Sequence, residues 1–117
     1  MGIDNLSVVD AISLDPQGFV VLTIFDGWDW IDEGEHLLLI QEKINLYFGF
    51  IQTGQVVENY PEAAGKKIHI NHVMANPLPP QALELLRRAN VAAAQLDVKI
   101  THKVSPFKYD PTKHQNA

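Results

Sequence analysis

Three groups of side chains in the 117-residue chain have the types that carry chemistry. The densest is residues 26–36: Asp26-Gly27-Trp28-Asp29-Trp30-Ile31-Asp32-Glu33-Gly34-Glu35-His36, with five carboxylates and an imidazole. Oxygen ligands at this density suit a hard cation. The spacing, however, lacks the alternate-position ligands and central glycine of a calcium loop. Acids just ahead of a helix are accounted for by its positive N-terminus. Neither a metal site nor a cofactor is therefore expected. Trp28 and Trp30 have two readings: an interaction surface, since tryptophan is favoured at binding hot spots, or rings that seal the helix start onto a sheet.

The second group is histidine. His69 and His72 form an H-x-x-H, which points to opposite faces on a regular strand and cannot chelate from one. His72 and His102 both continue apolar alternations, so they face each other if their strands pair. With Glu58 or Tyr60 they would make an acid–base site; a buried, hydrogen-bonded structural role is the plainer alternative. Gly65-Lys66-Lys67 lacks the upstream glycine and following hydroxyl of a phosphate loop. The third group is apolar. Along residues 19–25, Val20, Leu22 and Ile24 suit a core, while Phe19, Val21 and Phe25 point the other way. Such a patch marks an interface unless something covers it. A homodimer is one cover; the C-terminal tail, with Phe107 and Tyr109, is the other.

The elements that must position these groups can be read from pattern. Residues 8–14 and 19–25 form a hairpin about Asp15-Pro16-Gln17-Gly18, which has proline and glycine where a tight turn wants them. Asp32 with Glu35 resembles a capping box, and Leu37, Ile40, Ile44, Phe48 and Ile51 then recur at helical spacing up to Gly54, a C-terminal glycine. Residues 56–60 and 67–74 read as a second hairpin. Pro80 suits the first turn of a second helix reaching about Leu96. Residues 98–104 alternate as a last, half-buried strand. A weak internal repeat has an offset of 48: Val20, Leu22 and Ile24 align with Ile68, Ile70 and His72, and Val8-Val9-Asp10 aligns with Val56-Val57-Glu58. The expected core is Val20, Leu22, Ile24, Leu37, Ile44, Phe48, Ile68, Ile70, Leu86 and Ile100.

Composition narrows the classes. A net charge of −5 and no basic stripe argue against nucleic acid. No apolar run approaches the ~20 residues a membrane helix needs. The opening MGIDNLSVVD carries neither a basic nor a long apolar run, so a secretory signal is not expected and a cytoplasmic location is. Cysteine is absent, which excludes disulfides and thiolate chemistry.

Asp29-Trp30, His36-Leu37-Leu38-Leu39, Gln41-Glu42-Lys43-Ile44-Asn45, Gly54-Gln55 and Tyr60-Pro61 together resemble a family of short bacterial proteins catalogued as a domain of unknown function. The resemblance implies a bacterial origin and brings no activity, cofactor or catalytic residue with it.

These readings converge on an α+β fold: an antiparallel sheet of four or five strands with two helices on one face, in the order ββαββαβ. Residues 1–104 form one domain and 105–117 a polar tail. The expected function is a non-enzymatic protein-binding or regulatory protein, for example of immunity type, with Trp28, Trp30, Phe19, Val21 and Phe25 as surface candidates. The alternative is a small enzyme using His72 and His102 with a carboxylate.

Overall fold

The computed structural model describes residues 2–105. Strands β1 (Ala11–Leu14) and β2 (Val20–Asp26) form the expected hairpin. Asp15 closes the turn: its carbonyl accepts from Gly18 and its carboxylate from Gln17 and Phe19. Gly18 sits at φ 88°, the left-handed region that glycine enters without strain. Helix α1 (Glu33–Gln52) follows, capped by the Asp32 carboxylate accepting from the Glu35 amide at 3.1 Å. A short helix α2 (Gln55–Asn59), a 3-10 turn at Pro61–Ala63, strand β3 (Ile68–Met74), helix α3 (Pro80–Ala94) and strand β4 (Val98–Val104) complete the order.

The sheet is mixed, and this corrects the antiparallel expectation. Its order is β1-β2-β3-β4; β1 pairs antiparallel with β2, whereas β2/β3 and β3/β4 are parallel. The physical reason lies at residues 55–59. Residues 56–60 were expected to supply a strand that turns back into β3, but all of them except Tyr60 belong to α2. Gly54, at φ 78°, ends α1 in the left-handed conformation and lets the chain re-enter a helix at once. Val56 alone is buried on that turn, while Val57 is exposed. With no strand between α1 and β3, the crossover returns the chain to the starting edge of the sheet, and a helical crossover makes the next strand parallel. Among the described residues the order is therefore ββααβαβ, four strands and three helices.

The offset of 48 seen in the sequence is the register of β2 on β3: Val20 opposes Ile68, Leu22 opposes Ile70 and Ile24 opposes His72. The earlier half of that alignment does not carry over, since Val56, Val57 and Glu58 are helical while Val8, Val9 and Asp10 precede β1.

One face of the sheet supplies Val20, Leu22, Ile24, Ile70, Val98 and Ile100 to a core closed by Ile40, Ile44 and Tyr47 of α1 and Leu86 and Ala93 of α3. Leu37, Phe48 and Ile68, expected in the core, are only half-buried. On the opposite face Phe19, Val21 and Phe25 are also half-buried, and Phe19 stacks on His69 with ring centroids 4.2 Å apart. Ser105 donates its amide to the Met74 carbonyl at 2.8 Å. The remainder of the expected tail, Phe107 and Tyr109 included, lies outside the described residues.

Ile44 fills the space between α1 and the sheet at 2% exposure. Ile44→Ala should cost about 2–5 kcal/mol by leaving a cavity. Phe48→Ala, on the half-buried flank, should cost less. Urea unfolding of the two variants checks the ranking, and equal losses would mean that the flank is as tightly packed as the core.

Candidate functional site

β2 ends on an ionisable residue inside the protein. Asp26 is fully buried, and its carboxylate gathers three donors from three stretches of chain. The Trp28 amide meets Oδ1 at 3.0 Å. His36, in the first turn of α1, brings Nε2 to Oδ2 at 2.6 Å. His72 of β3 brings its Nε2 to the same oxygen at 2.8 Å. Both histidines are fully buried as well. Asp26 and His72 reach each other because β2 and β3 run parallel, which brings the carboxyl ends of both strands to one edge.

The hydrogen-bond partners fix where protons lie. His36 Nδ1 contacts the Asp29 carbonyl at 2.9 Å. A carbonyl only accepts, so Nδ1 carries a proton. The Nε2–Oδ2 contact then holds another between nitrogen and oxygen. Burial alone would push the Asp26 carboxyl up. The hydrogen bonds from His36 and His72, together with the positive charge of the rings, outweigh burial and hold it below the usual carboxylate range. One carboxylate oxygen, Oδ2, is thus met by a ring nitrogen from each histidine. Trp30 stacks on His36, with centroids 3.7 Å apart and planes 22° apart, and Trp28 lies at 5.8 Å. The Asn76 side chain ties down the Trp28 carbonyl at 3.0 Å. His72 Nδ1 and Trp30 Nε1 are buried without a protein partner.

A second buried pair lies further along the same side of α1. Lys43 Nζ meets Asp10 Oδ1 at 2.9 Å, with both side chains fully buried, and also donates to the carbonyls of Val8 and Asn5. Tyr47 donates to the Thr23 carbonyl and accepts from the Asp10 amide at 2.8 Å. Burial raises its hydroxyl well above the ordinary tyrosine range. Asp10 also accepts the amides of Gly2 and Phe25. This network fastens residues 2–10 across α1 and β2.

The structure thus regroups the residues that the sequence singles out. His72 and His102 are register partners on neighbouring strands, as the alternation implied. Yet His72 is turned into the protein onto Asp26, while His102 is exposed. The carboxylate beside His72 is Asp26, not Glu58, which is exposed on α2. The second imidazole is His36. Trp28 and Trp30 are half-buried against the core and on His36, so they close the cluster over. Sequence reading placed Asp26 and His36 in one acidic loop but did not join them to His72. The one available signal was that Asp26 ends a strand otherwise apolar on the same face. Among the described residues no group of three His, Asp or Glu side chains is arranged to hold a metal ion.

A second feature lies in the helix layer. α1 and α3 diverge over a groove of 590 Å³ whose walls include Leu37, Leu38, Gln41, Leu85 and Arg88. It continues past Gln41, Leu85 and Arg88 into a 260 Å³ hollow bounded by Ile44, Phe48 and Ala89. Leu38 is 53% exposed there. On the rim, hydrogen bonds from Arg87 and Arg88 hold the Glu84 carboxyl down to about 2.

The fold and site define a small α+β domain with a sealed Asp–His cluster at the carboxyl end of its parallel strands and an open groove between its helices. The chain belongs to a family of unknown function, DUF6572, whose model matches residues 1–106. No curated protein and no solved structure matches it. Among the described residues no helix is long and apolar enough to cross a membrane.

Asp26→Asn would leave the buried imidazoles without their counter-charge and should cost about 3–5 kcal/mol. The pH dependence has a definite sign. The folded-state carboxyl lies below its ordinary 3.8, so its contribution is complete above that value and is lost as pH falls through the folded value. Unfolding measured from about pH 6 to about pH 3 should fall more steeply for wild type than for Asp26→Asn. Parallel curves would show that Asp26 carries no coupled charge.

Proposed function

We propose that this chain is a non-enzymatic binding or regulatory protein acting through protein contacts, with the groove between α1 and α3 as its contact surface. An immunity-type protein that neutralises a toxin is one concrete form. The observation that carries this reading is the exposure of Leu38 in a groove walled by Leu37 and Leu85, because apolar surface left open beside polar rims marks interaction sites. The burial of Asp26, His36 and His72 supports it from the other side: a substrate would have to displace Trp30 and Trp28 to reach any of the three. The alternative, an enzyme using His72 and His102, would need both rings in one cleft, and they differ in burial. In the favoured reading the protein is bacterial and cytoplasmic, on the strength of the motif resemblance and composition.

The test is affinity capture from the source cell with mass spectrometry, using wild type, Leu38→Asp and Val21→Lys as baits. A partner held by wild type and Val21→Lys but lost by Leu38→Asp is the expected result. Partners indifferent to Leu38 would move the contact surface elsewhere. A homodimer across Phe19, Val21 and Phe25 is proposed separately, on the apolar pattern of β2. It predicts a dimeric wild type and a monomeric Val21→Lys in sedimentation equilibrium, and a monomeric wild type would refute it.

A further inference from the structure

β4 ends the sheet on one side, and no strand lies against its outer edge among the described residues. In a parallel pair, alternate residues of a strand bond the neighbour, and those between turn their N–H and C=O groups away. The Ser105 amide goes to the Met74 carbonyl, which sets Thr101, Lys103 and Ser105 as the residues that bond β3. Val98, Ile100, His102 and Val104 therefore turn their backbone groups outward. At Ile100 the Asn90 side chain takes both groups, donating to the carbonyl at 3.0 Å and accepting from the amide at 2.8 Å, as a neighbouring strand would. Past Ile100 nothing among the described residues does so, and His102 and Val104 each present an N–H and a C=O to the outside.

The two faces of this edge differ. On the helix side a hollow of 410 Å³ lies between α3 and β4, lined in part by Leu83, Leu86 and His102. Leu83 is exposed, and so is Val104, two residues past His102 on the same face of the strand. On the open side Lys99, Thr101 and Lys103 project in alternation. Both lysines are exposed, and neither has a carboxylate partner among the described residues.

These features select an occupant. Outward backbone groups along a strand edge are matched by another extended chain; a helix spends its own groups internally. The side chains of an added strand alternate between the faces, one set over the leucines and the other beside the lysines. The first set is suited by apolar residues and the second by acids. A second copy of this chain, adding through the same edge, would lay one lysine-bearing strand beside another, and like charges across a strand pair repel.

We propose that the open end of the β4 edge, His102 to Val104, takes up an extended segment of a partner protein as an added strand, one in which apolar and acidic residues alternate. Asn90 marks where that strand stops, since Ile100 already has its backbone partners. This rests on the reading of the chain as a protein-binding protein but uses a surface separate from the groove between α1 and α3.

The test uses the full chain, isotope-labelled for NMR, and two synthetic peptides about five residues long, an ordinary strand length. Both have valine at alternate positions, with glutamate between in one and lysine between in the other. The glutamate peptide at millimolar concentration should shift the His102 and Val104 amide signals and slow their hydrogen exchange. The lysine peptide should bind roughly tenfold more weakly or worse. Lys99→Glu/Lys103→Glu should reverse that order. Val104→Pro removes an outward N–H and no bond to β3, so it should abolish binding while its thermal melt stays close to wild type. Leu38→Asp, in the other groove, should leave binding unchanged. Equal binding of the two peptides would overturn the charge assignment, and binding that survives in folded Val104→Pro would overturn strand addition. If neither peptide binds while Leu38→Asp still loses a cellular partner, this proposal fails and the binding reading stands. If neither binds and Leu38→Asp changes nothing, both fail. Wild-type self-association that slows exchange at His102 and Val104 would show a second copy at the edge and overturn the proposal.

Discussion

The Asp26 carboxylate sits where the end of β2, the loop behind it, the first turn of α1 and β3 all meet. An ionised carboxylate in such a place is tolerated only if its lone pairs are engaged, because desolvation without partners costs several kcal/mol or more. Three donors meet that demand, and each comes from a different piece of chain. The Trp28 amide fixes the loop leaving β2. His36 fixes the start of α1. His72 fixes the carboxyl end of β3. The Asp26 main chain adds a fourth tie, its carbonyl accepting from Ala75 at 2.8 Å. The direction in which α1 leaves the sheet is thus set by hydrogen bonds with definite geometry, and the tryptophan rings then exclude the water that would compete for them.

The consequence runs the length of α1. The side of the helix that meets the sheet is His36, Ile40, Lys43, Ile44 and Tyr47. Three of those five side chains are polar or ionisable, and each has a buried partner. Their partners, as well as hydrophobicity, set which side of the helix faces the sheet. Leu37 and Phe48 move to the flank, and Leu38 moves into the open groove. The apolar groove between α1 and α3 is thus the counterpart of the polar contacts beneath α1: leucines not used against the sheet are left facing outward.

What could be read from the sequence was local, and what could not depends on contacts distant along the chain. The apolar run of β2, the Asp32 cap, the proline at the start of α3 and the alternation in β4 are local signals, and each marks an element that exists. The parallel sheet was not legible, since it turned on a single question, whether Val56, Val57 and Glu58 extend or coil. Two adjacent valines favour a strand, but one buried side chain per turn is enough for a helix once Gly54 has reversed the chain. The cluster was not legible because Asp26, His36 and His72 are distant in sequence and meet only through parallel pairing. Alternation correctly set His72 beside His102, but not their burial. β4 is an edge strand, and the inward-facing positions pass from buried at Val98 and Ile100 to exposed at His102 and Val104. Asn90 of α3 bonds both backbone groups of Ile100, so the helix covers the strand's first half.

The carboxyl end of parallel strands is where open α/β sheets commonly hold a ligand, because loops diverge there and leave a crevice. In this chain the same position holds a carboxylate and two imidazoles, groups suited to acid–base work, with Trp30 stacked over one of them. Stability is a weak reason for such an arrangement, since buried ion pairs are often no better than well-packed apolar residues. Geometric definition is a stronger one. Leucines sliding over valines would accept several settings of α1 against the sheet; a hydrogen bond between His36 Nε2 and Asp26 Oδ2, and an ammonium held by Asp10 and two carbonyls, accept one. The two polar contacts beneath α1 thus fix the helix against the rest of the protein at separate points along its buried side.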